Sequence, residues 1–269
     1  MSLRVGSTLS GGIDRVVSRN GLVLLAANLA LGTVWMAVVS SLVATTAARY
    51  GVDPAALPFP TLPLPLAASV VVVLLLLAAF VWLNVVTVRA FVDGRGSSIP
   101  GEFLTRRIGY VLVNLVVFGV LFGLAVSGPA VAAIAGGLLA GSPLVGVLVG
   151  MLLLFVPGLV AYVALMFGQF YVVVDDENAL AALVDSWSLT RGNWIRLFLV
   201  VLVVGVAAGV VSLLVSFAGS ALLGRQSVAL QFANGVVGYA VSLVSLGVFA
   251  EAFCRLRRER GDPVGHDAL

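Results

Sequence analysis

Six long apolar runs alternate with short polar intervals along this chain. Residues 21–48, 66–91, 109–131, 144–173, 194–223 and 228–253 each read as a nearly continuous hydrophobic segment. Each exceeds the roughly 20 residues that a helix needs to cross about 30 Å of hydrocarbon. The pattern predicts an all-α, polytopic membrane protein with six transmembrane helices. Pro157 falls inside the fourth run and predicts a kink, because proline removes a ladder hydrogen bond. Pro54, Pro58, Pro60, Pro63 and Pro65 make the first connection an extended loop. A Gly/Ala-rich bend reaching Ser142-Pro143 and a short turn at Gly224-Arg225-Gln226 supply two further connections.

The intervals before runs one, three and five predict amphipathic helices. Leu9, Ile13, Val16 and Val17 form a narrow apolar stripe beside Asp14 and Arg15. Ser97 or Ser98 caps the second, with Pro100 in its first turn and Phe103 and Leu104 opposite Arg106 and Arg107. The third is the most distinctive. Leu180, Leu183, Val184 and Trp187 share one helical face, while Asp185, Ser186 and Ser188 turn away from it. Asp175, Asp176 and Glu177 precede it, where the helix dipole favours carboxylates, and Gly192-Asn193 closes it.

Composition excludes an aqueous fold. The chain is 61% hydrophobic and 10% charged, against about 45–50% and 25% in soluble proteins. All 15 basic residues are arginine. With the N-terminus inside, 13 of them fall on the inner side and only Arg49 and Arg225 outside. That bias predicts a multi-pass protein of the cell membrane with cytoplasmic N- and C-termini. The net charge of +3 is accordingly read as topology, and no nucleic-acid partner is expected. The first run is too long for a signal-peptide core, so it reads as a retained helix.

The three inner-to-outer segments resemble one another, as do the three returns. VTVRAFVDG, MFGQFYVVV and VFAEAFCRL put Arg89, Gln169 and Glu251 at matching places, 80 and then 82 residues apart, each followed by Phe91, Phe170 or Phe253. This spacing predicts three hairpin repeats, about residues 9–93, 97–174 and 178–257, within one transmembrane domain. Charges at that depth need partners or water. Arg89, Gln169 and Glu251 are therefore expected to form an interior polar cluster, with Arg89 and Glu251 in ion-pair reach. Snorkelling into the headgroups is the competing placement.

Candidate chemistry is sparse. One His, His266, and one Cys, Cys254, give no metal cluster or disulfide within the chain, and His266 lies in a polar tail without a nucleophile at hand. Asp175, Asp176 and Glu177 could ligate a hard cation, but three carboxylates before a helix read first as dipole partners. No phosphate-binding glycine loop sits at a strand–helix junction. No catalytic, cofactor or metal residue is expected. Asn28, Asn84, Asn114 and Asn234 lie inside predicted spans, where interhelical hydrogen bonding is the ordinary role. A continuous cavity lined by Asn84, Asn114 and Asn234 would instead favour transport. Gly119/Gly123, Gly137/Gly141, Gly146/Gly150 and Gly205/Gly209 have the small-xxx-small spacing that permits close helix approach, within the bundle or between subunits. Arg106, Arg107, Arg191 and Arg196, with Trp187 and Trp194, make a collar suited to headgroup and interface contacts, or simply to topology.

The segment ALVDSWSLTRGNWIRLF, through Trp187, Leu189, Thr190, Gly192, Asn193, Trp194 and Phe198, resembles the polytopic membrane domain family found with glycerophosphodiester phosphodiesterases and in related uncharacterised bacterial and archaeal membrane proteins. The resemblance implies a membrane module and carries over no catalytic residue. Together these readings predict a non-enzymatic membrane protein that organises lipid or binds a partner. Membrane lipids and a homo-oligomer or membrane-protein partner are its expected contacts. A transporter or channel for a small or amphiphilic solute is the alternative.

Overall fold

A computed structural model describes residues 5–51, 65–94, 99–223 and 227–262. Among these, every regular element is helical. In chain order they are α1 (Val5–Val17), α2 (Arg19–Arg49), α3 (Leu66–Asp93), α4 (Glu102–Thr105), α5 (Ile108–Leu139), α6 (Pro143–Leu153), a π-helical turn (Leu154–Gly158), α7 (Leu159–Leu165), α8 (Gly168–Val174), α9 (Ala179–Thr190), α10 (Trp194–Leu223) and α11 (Val228–Arg260). Six helical stretches are long and apolar enough to cross a membrane, and the fourth of them runs from Pro143 through Val174. Arg4, Arg95, Ser97, Ser98, Arg225, His266 and the prolines from Pro54 to Pro63 lie outside the described residues.

Local chemistry sets most boundaries. Ser18 accepts from the Gly21 amide to start α2, and Ser227 accepts from Leu230 to start α11. Asn178, rather than the preceding carboxylates, caps α9 by accepting from Leu180 and Ala181. Gly192, at φ +92°, turns the chain between α9 and α10 as expected. The bend expected after residue 131 is instead helical: α5 continues past Pro129 to Leu139. A proline ring removes only one donor, and an apolar environment offers the other backbone groups no partner except the helix itself. Pro157 is accommodated by the π turn.

Close approach is used selectively. A Cβ on Gly137 would collide with Gly146 Cα, and one on Gly150 would lie 2.7 Å from Ile134, so α5 and α6 form a tight hairpin. Gly119, Gly123, Gly205 and Gly209 face open space.

The buried core gathers at the arginine-rich end. Residues 85–92 of α3, 163–174 of α7 and α8, and 250–256 of α11 converge there. Phe170 and Phe253 stack at 5.1 Å, and Phe167 meets Phe253 at 5.9 Å. The short helices seal this end: α4 packs on α3, α9 on α7 and α8, and α1 on α11.

The lead-in helices meet the bundle chiefly through their smaller residues. On α9 the inward face is Ala179, Ala182, Ser186, Leu189 and Thr190, whereas Leu180, Val184 and Trp187 are exposed. On α1, Thr8, Gly12 and Val16 face inward, while Ile13 and Val17 are exposed. Small residues let these helices seat closely against the bundle.

Candidate functional site

The expected cluster of Arg89, Gln169 and Glu251 separates into three environments. Arg89, 1% exposed, works as a clamp at the end of α3. Its Nε donates to Val173 O at 3.0 Å, and Nη1 donates to Phe103 O and Arg106 O, each at 3.1 Å. Nη2 reaches Asp176 Oδ1 at 3.2 Å, and Arg106 Nε lies 3.3 Å from Asp176 Oδ2. One guanidinium thus ties α3 to the end of α8, to α4 and to the lead-in of α9. Asp176 turns inward at φ +53° to meet it, so it is a buried ion partner rather than a dipole partner of α9.

Glu251 does not pair with Arg89. It accepts from Arg15 at 2.6 Å and from Arg255 at 2.7 Å, and Arg255 in turn binds Ser7. The physical reason is packing: each return helix directs its charge to the short helix seated on it, α4 for α3 and α1 for α11. Asp175 pairs with Arg257 at 2.7 Å, and the Arg257 guanidinium lies over the Tyr171 and Phe253 rings. Burial raises the Asp175 carboxyl above its ordinary value, against the pull of Arg257. Burial, then the neighbouring Asp185 charge and hydrogen bond, raises Glu177 to about 7.

A break between α7 and α8 exposes backbone groups that α9 satisfies. Ser186 Oγ accepts from the Phe167 amide at 3.1 Å and donates to Ala164 O at 3.0 Å. Thr190 Oγ1 lies 3.2 Å from the same carbonyl and accepts from Trp194 Nε1 at 3.3 Å. Ser186 therefore points into the bundle, away from the exposed face of Leu180, Val184 and Trp187.

Among the collar residues, Arg106 is held by Asp176, whereas Arg107, Arg191 and Arg196 are exposed. Arg107 stacks over Tyr110 at 4.9 Å, and Arg196 reaches the Asn193 side chain at 3.5 Å. Trp187 is 44% exposed and meets half-buried Trp194 edge-on at 5.2 Å.

Gln169 faces a different feature, a cavity of about 550 Å³ among α2, α3, α5, α7, α8 and α11. Asn28, Asn84, Tyr162, Gln169, Tyr239 and Ser242 supply its polar wall, and Phe80, Phe118, Phe122 and Phe249 much of the rest. Gly32 leaves the space on α2 against which the Tyr239 ring lies, and that ring stacks on Phe80 at 5.9 Å. At Val116 and Gly119, both exposed on α5, the cavity reaches the outside of the bundle. A recess of about 40 Å³ shares Asn28, Asn84, Tyr239 and Ser242.

The other two asparagines proposed for a continuous path are engaged elsewhere. Asn114 donates to Tyr110 O and accepts from the Ala179 amide, and Asn234 accepts from Ser216. Tyr162, Tyr239 and Ser242 were not singled out by sequence reasoning. A polar group in each of several apolar runs was the available signal, but its direction depends on helix rotation.

A profile for the domain of unknown function DUF7847 matches residues 3–256. The chain belongs to the DUF7847 family. No curated protein and no solved structure matches it.

Proposed function

We propose that this DUF7847 protein is a non-enzymatic membrane module that holds one amphiphilic molecule drawn from the bilayer. The observation that carries the reading is the cavity: polar and aromatic inside, and open sideways at Val116 and Gly119. A lateral mouth suits a ligand already dissolved in lipid, since entry then requires no crossing of the arginine-rich end. A carrier would need the cavity to continue toward the far side, and Asn114 and Asn234 are committed to other partners.

In the same reading the arginine-rich end faces the cytoplasm of a cell-membrane protein. The bias of its arginines supports this orientation. Exposed Arg107, Arg191 and Arg196 beside exposed Leu180, Val184 and Trp187 support lipid contact at that face. Three-repeat organisation is supported by the recurring arrangement in which each short helix seats on a return helix. Kinship of the Trp187–Phe198 segment with phosphodiesterase-associated membrane domains belongs to this proposal as well.

Reconstitution with a lipid bearing a photoactivatable chain tests the reading. Label is expected around Phe80–Asn84, Leu115–Phe122 and Tyr239–Phe249. Gly119→Trp should suppress it, because a side chain added at Gly119 meets no neighbour and projects at the mouth. Label confined to exposed α10 and indifferent to Gly119→Trp would overturn the proposal.

A further inference from the structure

We infer that the cavity selects an uncharged lipid alcohol, a glycerol carrying two chains and one free hydroxyl, over phospholipids of the same chains. The inference rests on the binding role proposed above and adds the chemistry of the head. Every polar side chain lining the cavity is neutral: Asn28, Asn84, Tyr162, Gln169, Tyr239 and Ser242. The nearby charges are committed elsewhere, Arg89 to Asp176 and backbone carbonyls, Glu251 to Arg15 and Arg255. A phosphate inside would meet no cation, and a charge is the costliest group to carry into that depth.

The neutral groups are also unsatisfied. Among the described residues, Asn84, Gln169 and Ser242 and the hydroxyls of Tyr162 and Tyr239 make no hydrogen bond. Asn28 donates to Leu24 O, which leaves its side-chain oxygen without a partner. Ser242 differs in this from other hydroxyls of the long helices: Ser40, Ser41, Thr45, Thr46 and Ser245 all turn back onto a carbonyl of their own helix. Amides and hydroxyls that face the cavity without a partner inside the chain call for one that both donates and accepts. A lone glycerol hydroxyl donates to an amide oxygen such as that of Asn28. The glycerol's ester or ether oxygens accept from Asn84, Gln169 or the tyrosines.

Size and depth agree. A water occupies about 30 Å³ in the liquid; on that scale a cavity of about 550 Å³ has room for the glycerol and the first part of its chains. The remainder leaves through the mouth at Val116 and Gly119. The recess of about 40 Å³ between Asn28, Asn84, Tyr239 and Ser242 fits one hydroxyl. Asn84 lies five residues before Arg89 on α3, about 7.5 Å further into the bundle at 1.5 Å per residue. A head without charge can sink that far below the interface; a phosphate stays at the surface.

The test uses the full chain in nanodiscs with photoactivatable dioleoylglycerol, phosphatidylglycerol and phosphatidylcholine probes carrying the same chains. Native mass spectrometry and peptide mapping provide the readout. The expected result is 1:1 labelling of the cavity segments by dioleoylglycerol, at least about tenfold above either phospholipid. Asn84→Leu and Ser242→Val should each reduce that labelling severalfold. Neither breaks an internal hydrogen bond, so melting temperature should stay at the wild-type value and separates ligand loss from misfolding. Equal labelling of the cavity by phosphatidylglycerol would overturn the inference while leaving the binding role standing. Absence of any lipid from the cavity segments would overturn both.

Discussion

Replacing Arg89 separates the reasoning about buried charge most sharply. Arg89→Met keeps the length and apolar stem but removes four hydrogen bonds, three of them to Val173 O, Phe103 O and Arg106 O. Stranding a buried acceptor costs about 1–3 kcal/mol, and removing one member of a buried pair about 3–5. Because Asp176 retains Arg106, the expected loss is near the lower end, about 3–4 kcal/mol. Asp176→Asn removes the charge and keeps an acceptor at Oδ1, in a residue type that tolerates φ +53°. Its cost should be about 1.5–2.5 kcal/mol. Arg106→Gln loses a pair whose cation is 34% exposed and should cost under about 1 kcal/mol. Reversible unfolding in mixed micelles, followed by helical circular dichroism, measures the series. The order Arg89→Met, Asp176→Asn, Arg106→Gln is the decisive result. A loss below about 1 kcal/mol for Arg89→Met, or a larger one for Arg106→Gln, would refute the claim that the guanidinium fastens three helices.

Three other outcomes are open to measurement. Ser186→Ala strands the Phe167 amide and weakens the Ala164 carbonyl's pairing, so it should cost about 1–3 kcal/mol, against under about 1 for Ser188→Ala, a half-buried residue whose hydroxyl meets only Arg260 near the surface; comparable losses would count against the α9 patch. Glu177, raised to about 7 in the folded state, binds its proton more tightly there than when unfolded. Its contribution is therefore full below the ordinary carboxyl value and lost as pH rises through about 7; Glu177→Gln should flatten that part of the stability–pH curve, and an unchanged slope would contradict the assignment. Gly137→Leu should disrupt the α5–α6 hairpin while Gly205→Leu, facing open space, should leave the melting temperature within a few degrees; the reverse order would show that α10 packs against something at Gly205.

The six apolar helices were legible because hydrocarbon imposes one requirement, a long run without charge, that composition alone can reveal. Gly192 and Pro157 marked real interruptions because their effects are local. Helix rotation was not legible. The Leu180–Val184–Trp187 stripe was legible as one face, and that face is exposed; the small and hydroxyl face of Ala182, Ser186 and Thr190, which seats the helix on the bundle, was not singled out. Arg89 was recognised as interior, yet its partner was misjudged, since Asp176 is brought to it by a left-handed turn that no periodicity encodes. Gln169 marked one wall of the cavity. Its other walls come from five separate helices whose mutual rotation only packing decides.

The seating of α1 on α11 has a consequence for biosynthesis. Arg15 and Glu251 are 236 residues apart, so α1 is translated long before its docking surface on α11. Until α11 inserts, Gly12 and Arg15 wait at the bilayer surface without the chain that covers them. Closure of this end is thus a long-range event, slow by its loop length. It reports that α11 has inserted, and a chain stalled before α11 would expose that waiting helix to quality-control proteases.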